Sequence, residues 1–326
     1  MMLVSLGAAA QAATDPAPTG TPALTAEQKK AAEAETLQRD FAELQRDDAA
    51  ERARLTPQVR AAAKAVADQK YPDGRTAVTA ALAGPQRNPE SAARDSQRHP
   101  LETLELFGFA PGQSVLEYGP GEGWYTEILA PALAADGKLY VTTPDPNGAK
   151  DQRPTLYAQR TKLFLERLPE AYGKVEPVVI DGSAPKLPFA GKLDLILLFR
   201  GMHGMYNNGT LAAWLAEFHR ALKPNGVLGI EQHRADPTKT AEQTGKQGYL
   251  PEAFVIEQVE KAGFKLAGKS EVNANPKDDR DHPEGVWTLP PTLRLGDQDR
   301  DKYLAIGESD RMTLEFVKVE TPGAEH

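Results

Sequence analysis

The chain has 326 residues, of which 40% are hydrophobic and 26% charged, a formal net charge of −8 and no cysteine. That is the composition of one large globular domain or two small ones. The absence of cysteine removes disulfides, thiolate metal sites and thiol nucleophiles together. With an acidic balance and no basic stripe, nucleic-acid binding is not expected. The six histidines are scattered, without H-E-x-x-H or another metal-ligand spacing, so no metal is expected.

Residues 1–24 begin with an apolar, small-residue stretch, Met1–Ala13, in which Ala10-Gln11-Ala12 fits an A-x-A cleavage site. It is too short to span a bilayer as a helix. No Lys or Arg precedes Lys29. The expectation is a truncated signal peptide followed by a Pro/Thr/Ala linker, hence a periplasmic or secreted protein with no stable membrane span. A disordered tail on a cytoplasmic protein is the alternative.

Residues 25–73 read as a helical arm. Thr25 is a cap with Gln28 three residues on. Leu37, Phe41 and Leu44 recur at helical spacing, and Leu55 and Val59 resume the stripe after Thr56-Pro57 interrupts it. Such a thin seam packs either on the rest of the chain or on a second copy, which makes a homodimer through the arm an expectation to test. Too few heptads persist for a coiled coil. The turn Tyr71-Pro72-Asp73-Gly74 ends the arm, and residues 74–326 form the main domain. Short helices precede the first strand within 76–108.

Ser114–Ala130, SVLEYGPGEGWYTEILA, is the stretch around which that domain is organised. Val115-Leu116 reads as a buried strand, Trp124–Ala130 as the start of a helix, and a glycine turn joins them. Strand, glycine turn and helix in this order bring backbone against a nucleotide-like ligand in doubly wound α/β folds. Dinucleotide binders use G-x-G-x-x-G/A with a small third residue. Trp124 occupies that position, which argues against a nicotinamide oxidoreductase.

Gly119, Gly121 and Gly123, preceded by Glu117, instead give E-x-G-P-G-x-G, which resembles motif I of class I S-adenosylmethionine-dependent methyltransferases. The resemblance implies an α/β, Rossmann-like fold with a seven-stranded, mostly parallel sheet and an antiparallel last strand. It implies S-adenosylmethionine as cofactor, with Glu117 near the methionine amino end and Gly119, Gly121, Gly123 and Tyr125 beside it. The helix before the first strand then flanks the substrate opening, so Arg98 and His99 become candidates for the acceptor pocket. A surface ion pair of Arg98 with Asp95 is the alternative.

Residues 137–143 read as the second strand. The family usually ends this strand with an acid that holds the ribose hydroxyls. Here Thr143 stands at that point and Asp145 lies two residues later. Either Asp145 curls back through Pro144 and Pro146, or ribose recognition is weakened. A helix over 150–168 leads to a third strand at 175–180, after which Asp181 is the expected adenine contact. The fourth strand, 193–198, empties into Phe199-Arg200-Gly201-Met202-His203. Ligands of open parallel sheets lie beyond these strand ends, so Arg200 is assigned to the cofactor and His203 to catalysis. A histidine near neutrality suits proton abstraction from an acceptor; a purely loop-shaping His203 is the alternative.

Residues 210–222 form an amphipathic helix. Leu222-Lys223-Pro224-Asn225-Gly226-Val227-Leu228 resembles the family's turn into the fifth strand, which delivers Glu231, Gln232, His233 and Arg234 to the same edge. His233 is the second catalytic candidate and Arg234 an acceptor contact. A helix at 251–262, a sixth strand at 264–271 and a last strand at 311–319 complete the pattern. Residues 273–295 form a long insertion read as a lid, with Asn273, Asn275, Lys277, Asp278, His282 and Trp287 as contacts. An ordered structural insertion is the alternative.

The segment E-x-G-P-G-x-G-W-Y-T-E-I-L-A-P from Glu117, the H-P-x-E-T-L segment from His99 and the N-A-N-P-K-D…H-P-E-G-V-W-T-L-P-P-T block from Asn273 together resemble a bacterial group of predicted exported class I methyltransferases of unknown acceptor, over about Ala92 to Val319. The implied activity is methyl transfer to an O, N or C nucleophile on a small molecule. A non-catalytic ligand-binding protein on the same fold is the rival reading, favoured by the displaced ribose acid.

Overall fold

A computed structural model describes residues 25–319. The leader and linker expected in residues 1–24 lie outside the described residues. Seven strands form one sheet: β1 (Ser114–Tyr118), β2 (Lys138–Thr143), β3 (Glu176–Val179), β4 (Leu193–Phe199), β5 (Leu222–His233), β6 (Phe264–Ser270) and β7 (Arg311–Lys318). Their order is β3-β2-β1-β4-β5-β7-β6. The first five pair in parallel, whereas β7 runs antiparallel between β5 and β6. This is the mostly parallel sheet with an antiparallel last strand that motif I implied.

The central strands are buried on both faces, which explains their nearly continuous apolar runs. Val115, Leu195 and Leu197 point into one core layer, while Leu116, Ile196 and Leu198 point into the other. Helices Gly74–Leu82, Pro100–Leu106 and Thr126–Leu133 supply residues to the first layer, and Leu211–Ala221 and Glu252–Lys261 to the second. Chain reversal through helices leaves the ends of β1, β4 and β5 on one edge, at Tyr118, Phe199 and His233.

The arm is two helices, Ala26–Arg54 and Pro57–Asp68. The first opens on the expected capping box, with Thr25 and Gln28 each accepting from the other's backbone N–H. Thr56 caps the second, and Pro57 occupies its first turn. The seam of Leu37, Phe41 and Leu44 packs on Leu156 and Leu163 of the helix Arg153–Arg167. The surface that suggested a second copy is therefore covered from within the chain. Leu55, Ala63 and Tyr71 join the main core, so the arm is welded to the body rather than hinged from it. Among the described residues, no helix is long and apolar enough to cross a membrane.

The insertion after β6 is ordered. It contains a 3₁₀ turn at Gly285–Thr288, followed by a helix at Arg300–Ile306. Leu289 is fully buried, and Val286 packs with Ala235 and Tyr249 beside the end of β5.

Candidate active site at the carboxyl edge of the sheet

The glycine turn after β1 is fixed by short local bonds. Gly119 N–H donates to Thr142 Oγ1 at 2.9 Å, and Gly123 N–H donates to Pro120 O at 2.9 Å. All three glycines have positive φ, at +56°, +61° and +84°, a region that a Cβ makes costly. Their surroundings differ. A Cβ on Gly119 or Gly121 would meet no protein atom within 4 Å, whereas one on Gly123 would collide with the Phe164 ring. The first two glycines thus face open space for a ligand, and the third serves helix packing.

That open space is a groove lined by Tyr118, Pro120, Thr142, Thr143, Tyr157, Thr161 and their neighbours, with no charged side chain on its wall. The glycine cradle fits an S-adenosylmethionine backbone approach. At the end of β2, where the resemblance implied an acid for the ribose, the groove wall carries Thr142 and Thr143. Asp145 is exposed and accepts from Asn147 N–H at 2.8 Å, capping its own loop instead of turning to the groove. Asp181 likewise is exposed and accepts from the Ser183 backbone and hydroxyl, which lower its carboxyl below the ordinary value. Its neighbours Ile180 and Gly182 line the groove in its place.

Glu117 and Tyr125 lie behind the groove rather than on its wall. Glu117 is buried and accepts from Thr126 Oγ1 at 2.7 Å; burial pushes its carboxyl up to about 7. Tyr125 stacks on Phe199 at 3.5 Å between ring centres and donates its hydroxyl to Glu231 at 2.8 Å.

A second depression, of about 270 Å³, lies on the other side of the turn. Arg94, Arg98, Glu122, Trp124, Arg200, His203, His233, Trp287, Pro291, Glu308 and Ser309 are among its walls. Five of the expected site residues (Arg98, Arg200, His203, His233 and Trp287) meet here, although they span nearly 190 positions of sequence. The His203 and Trp287 ring centres are 5.8 Å apart, as are those of His203 and His233. Arg200 sits at φ +55° with its backbone N–H donating to Glu231 O at 2.6 Å, while its Nη1 donates to Glu231 Oε1 at 2.8 Å. Arg200 therefore lines this second depression and not the groove beside Gly119 and Gly121.

The state of His203 follows from Gln232. The Gln232 carbonyl oxygen accepts from Met202 N–H at 3.2 Å, and its amide nitrogen donates to Gly248 O at 3.0 Å. The same nitrogen lies 3.3 Å from His203 Nδ1, so Nδ1 accepts and Nε2 carries the proton. Burial lowers the imidazole to about 4, which keeps it neutral at physiological pH. This arrangement suits a hydrogen-bond donor, in place of the general base expected from the sequence. His233 Nδ1 lies 2.5 Å from Ser309 Oγ, and burial with the adjacent His203 lowers its pKa too.

The remaining expected contacts serve the fold. Asn273 Nδ2 donates to Thr103 and Thr313 hydroxyls, and Asn275 Nδ2 to the carbonyls of Ile306 and Glu308. His99, at φ +40°, lies beside these two asparagines in a separate depression. Arg234 pairs with Asp310, Glu252 and Glu271. His282 is buried against Asp278 at 2.8 Å. Asp278, Asp279 and His282 are the ligand-type group that comes together among the described residues. The Asp278 carboxylate already accepts from Tyr249, Arg280 N–H and Asp310 N–H. The lid contributes a wall only through residues 286–292, because its earlier half is pinned.

Glu308, Ser309 and Arg94 were not foreseen. Glu308 binds Arg94 at 2.7 Å, Arg98 at 2.9 Å and Arg311 at 2.6 Å. Burial alone would raise its carboxyl, but the three guanidinium groups hold it far below the ordinary range.

The chain belongs to the methyltransferase-domain family, whose model matches residues 91–267, more than half of the sequence. It is an S-adenosylmethionine-dependent methyltransferase by fold and family. Among solved structures it is similar to a SAM-dependent methyltransferase from Aquifex aeolicus, at 18% identity and TM-score 0.46 over 77% of this chain and 100% of that one. The arsenic(III) methyltransferase CrArsM from Chlamydomonas reinhardtii matches at 14% identity and TM-score 0.44, over 76% and 74% of the two chains. The N-methyltransferase NodS from Bradyrhizobium japonicum matches at 14% and 0.44, over 72% and 99%. No curated protein matches the chain.

Proposed function

We propose that the protein transfers a methyl group from S-adenosylmethionine to a small-molecule O, N or C nucleophile seated in the pocket beside Arg200 and His203. One observation carries this reading: the glycine turn is a wall of both depressions. Pro120 and Gly121 border the groove, while Glu122 and Trp124 border the pocket. A donor on one side and an acceptor on the other are thereby held within one turn of backbone, and alignment of this kind supplies much of the rate of a two-substrate transfer.

When bound, the cofactor supplies an electrophilic methyl group on a sulfonium sulfur. The chain's own residues hold and orient. Gly119 and Gly121 let the backbone approach. Trp124 anchors the turn through Nε1–H, which donates to Ser91 O at 2.8 Å. His203 offers a neutral Nε2–H to an acceptor oxygen. Trp287 and the two prolines beside it limit water at the pocket.

The test is calorimetric titration with S-adenosylmethionine and S-adenosylhomocysteine, followed by a labelled-methyl transfer screen. Folded protein that binds neither compound would sink the proposal. Export is proposed on the leader pattern; protein found only in the cytosolic fraction with its leader uncleaved, instead of secreted or periplasmic protein beginning near Ala13, would count against it.

A further inference from the structure

Four guanidinium groups, those of Arg94, Arg98, Arg200 and Arg311, surround two carboxylates, those of Glu231 and Glu308. Arg98, Arg311, Glu231 and Glu308 are all at least 95% buried. The cluster therefore carries more positive than negative charge in a setting where unpaired charge is expensive. The remaining acid on the pocket wall, Glu122, stands at the solvent edge with its side chain 71% exposed, 3.5 Å from Arg160. S-adenosylmethionine in the adjoining groove would bring a sulfonium, an ammonium and one carboxylate, a net positive charge that does not cancel the excess.

The hydrogen-bond inventory points the same way. Arg94 Nη2 is buried with no partner. The Arg200 side chain, on the wall, is 21% exposed, and one carboxylate answers it. His203 presents Nε2–H, as its bond from Gln232 dictates. The polar wall is thus made largely of donors, around an apolar surface of Trp124, Val286, Trp287 and two prolines.

From this we infer that the methyl acceptor is a small organic anion, whose carboxylate or phosphoryl group is seated against Arg94 and Arg200 with His203 donating beside it. The inference rests on the methyltransferase reading of the same site. The cleft next door, beneath the first arm helix, shares Arg94 and also carries Arg160 and Arg167, but eight acids line it, Asp40, Glu43, Asp47 and Glu51 among them, so its wall is net negative.

The experiment uses the full chain saturated with S-adenosylhomocysteine and titrates four probes by calorimetry: benzoate, phenyl phosphate, benzamide and phenol. At least one anion should bind about tenfold or more tightly than its neutral counterpart, through charge-assisted hydrogen bonds. Preference for benzoate assigns a carboxylate, and preference for phenyl phosphate a phosphoryl group. Arg94→Gln should weaken the anion about tenfold and leave the neutral probes unchanged, with Arg94→Lys recovering part of the loss. Arg94 is the choice because Glu308 keeps Arg98 and Arg311 without it, and an unchanged melting temperature verifies the fold. Equal affinity for neutral and charged probes overturns the inference, as does unaltered anion binding in Arg94→Gln. So does silence from all four probes in protein that binds S-adenosylhomocysteine, an outcome that leaves the methyltransferase reading intact. Protein that does not bind S-adenosylhomocysteine overturns both.

Discussion

The groove beside Gly119 and Gly121 and the pocket beside Arg200 and His203 share one turn of backbone but are built by opposite means. The groove is made of glycines, hydroxyls and strand ends, with no charged side chain on its wall. The pocket is made of side chains from six separate stretches, near residues 94–98, 122–124, 200–203, 233, 286–292 and 308–309, and its centre is a buried ion network. A backbone-built site recognises a ligand by close approach and tolerates little added volume. A network-built site recognises charge and depends on every partner being present. Substitutions in the two regions should therefore fail differently: in the groove by loss of binding, in the pocket by loss of stability or turnover.

The largest effect should come from the network. Glu308→Ala leaves Arg98 and Arg311 buried without their shared carboxylate, and roughly 3–5 kcal/mol of stability should be lost. Urea unfolding measures it, and a change under 1 kcal/mol would mean water already satisfies these arginines. The pH dependence carries a sign. The folded carboxyl is held below its unfolded value, so its contribution is present above the unfolded value and fades as pH falls below it. The wild type should lose stability on acidification more steeply than the variant. Next in size is Gly121→Val in the groove. Its Cβ would meet no protein atom, so the fold should bear about 1–2 kcal/mol of backbone strain. The branched side chain projects into the space a ligand needs, and S-adenosylmethionine affinity should drop about a hundredfold. Equal titrations of variant and wild type would show that the cofactor lies elsewhere.

The same contrast explains what could be read in advance. The sheet, its order-defining motif and the groove were legible because local pattern carries them: Val115-Leu116 alternates faces, and Gly119 and Gly121 need positive φ. The arm's capping box and its break at Thr56-Pro57 were legible for the same reason. The pocket was legible in part, where strand ends deliver residues to one edge, as with Arg200, His203 and His233. Glu308 gave no signal, since it precedes the last strand in an irregular stretch and acquires meaning only when folding brings Arg94 and Arg98 to it, more than 200 positions away. Asn273, Asn275 and His282 show the reverse error. A polar residue in a long insertion reads as a ligand contact, yet an ordered insertion has backbone groups of its own to satisfy.

His203 tests the pocket at intermediate strength. A donor whose imidazole is lowered to about 4 stays neutral across the working range. Turnover should therefore be flat from about pH 6 to 9, without a histidine-like limb. His203→Ala should lower kcat about tenfold with little change in cofactor affinity, the scale of one lost hydrogen bond in a positioned complex. His203→Asn, which keeps a donor, should retain more activity than alanine. A rate that rises through pH 6.5 in the wild type would restore the general-base assignment.

The smallest expected effect sharpens the comparison most, because it concerns a charge the groove lacks. If ribose were held by an acid at the end of β2, Asp145 is the residue within reach of that strand end. Its side chain instead accepts from Asn147 N–H and stands in solvent, and the turn through Pro144 and Pro146 on either side limits its freedom to swing inward. Asparagine keeps the acceptor oxygen that caps the loop. Asp145→Asn should accordingly leave S-adenosylmethionine affinity within about twofold, where removal of a charged partner to a diol would cost about tenfold or more. A tenfold loss would mean that the loop closes on the cofactor and brings a carboxylate to the groove. An unchanged affinity would mean that the ribose is held by neutral groups at the end of β2, and that this chain concentrates its charge on the acceptor side of the glycine turn.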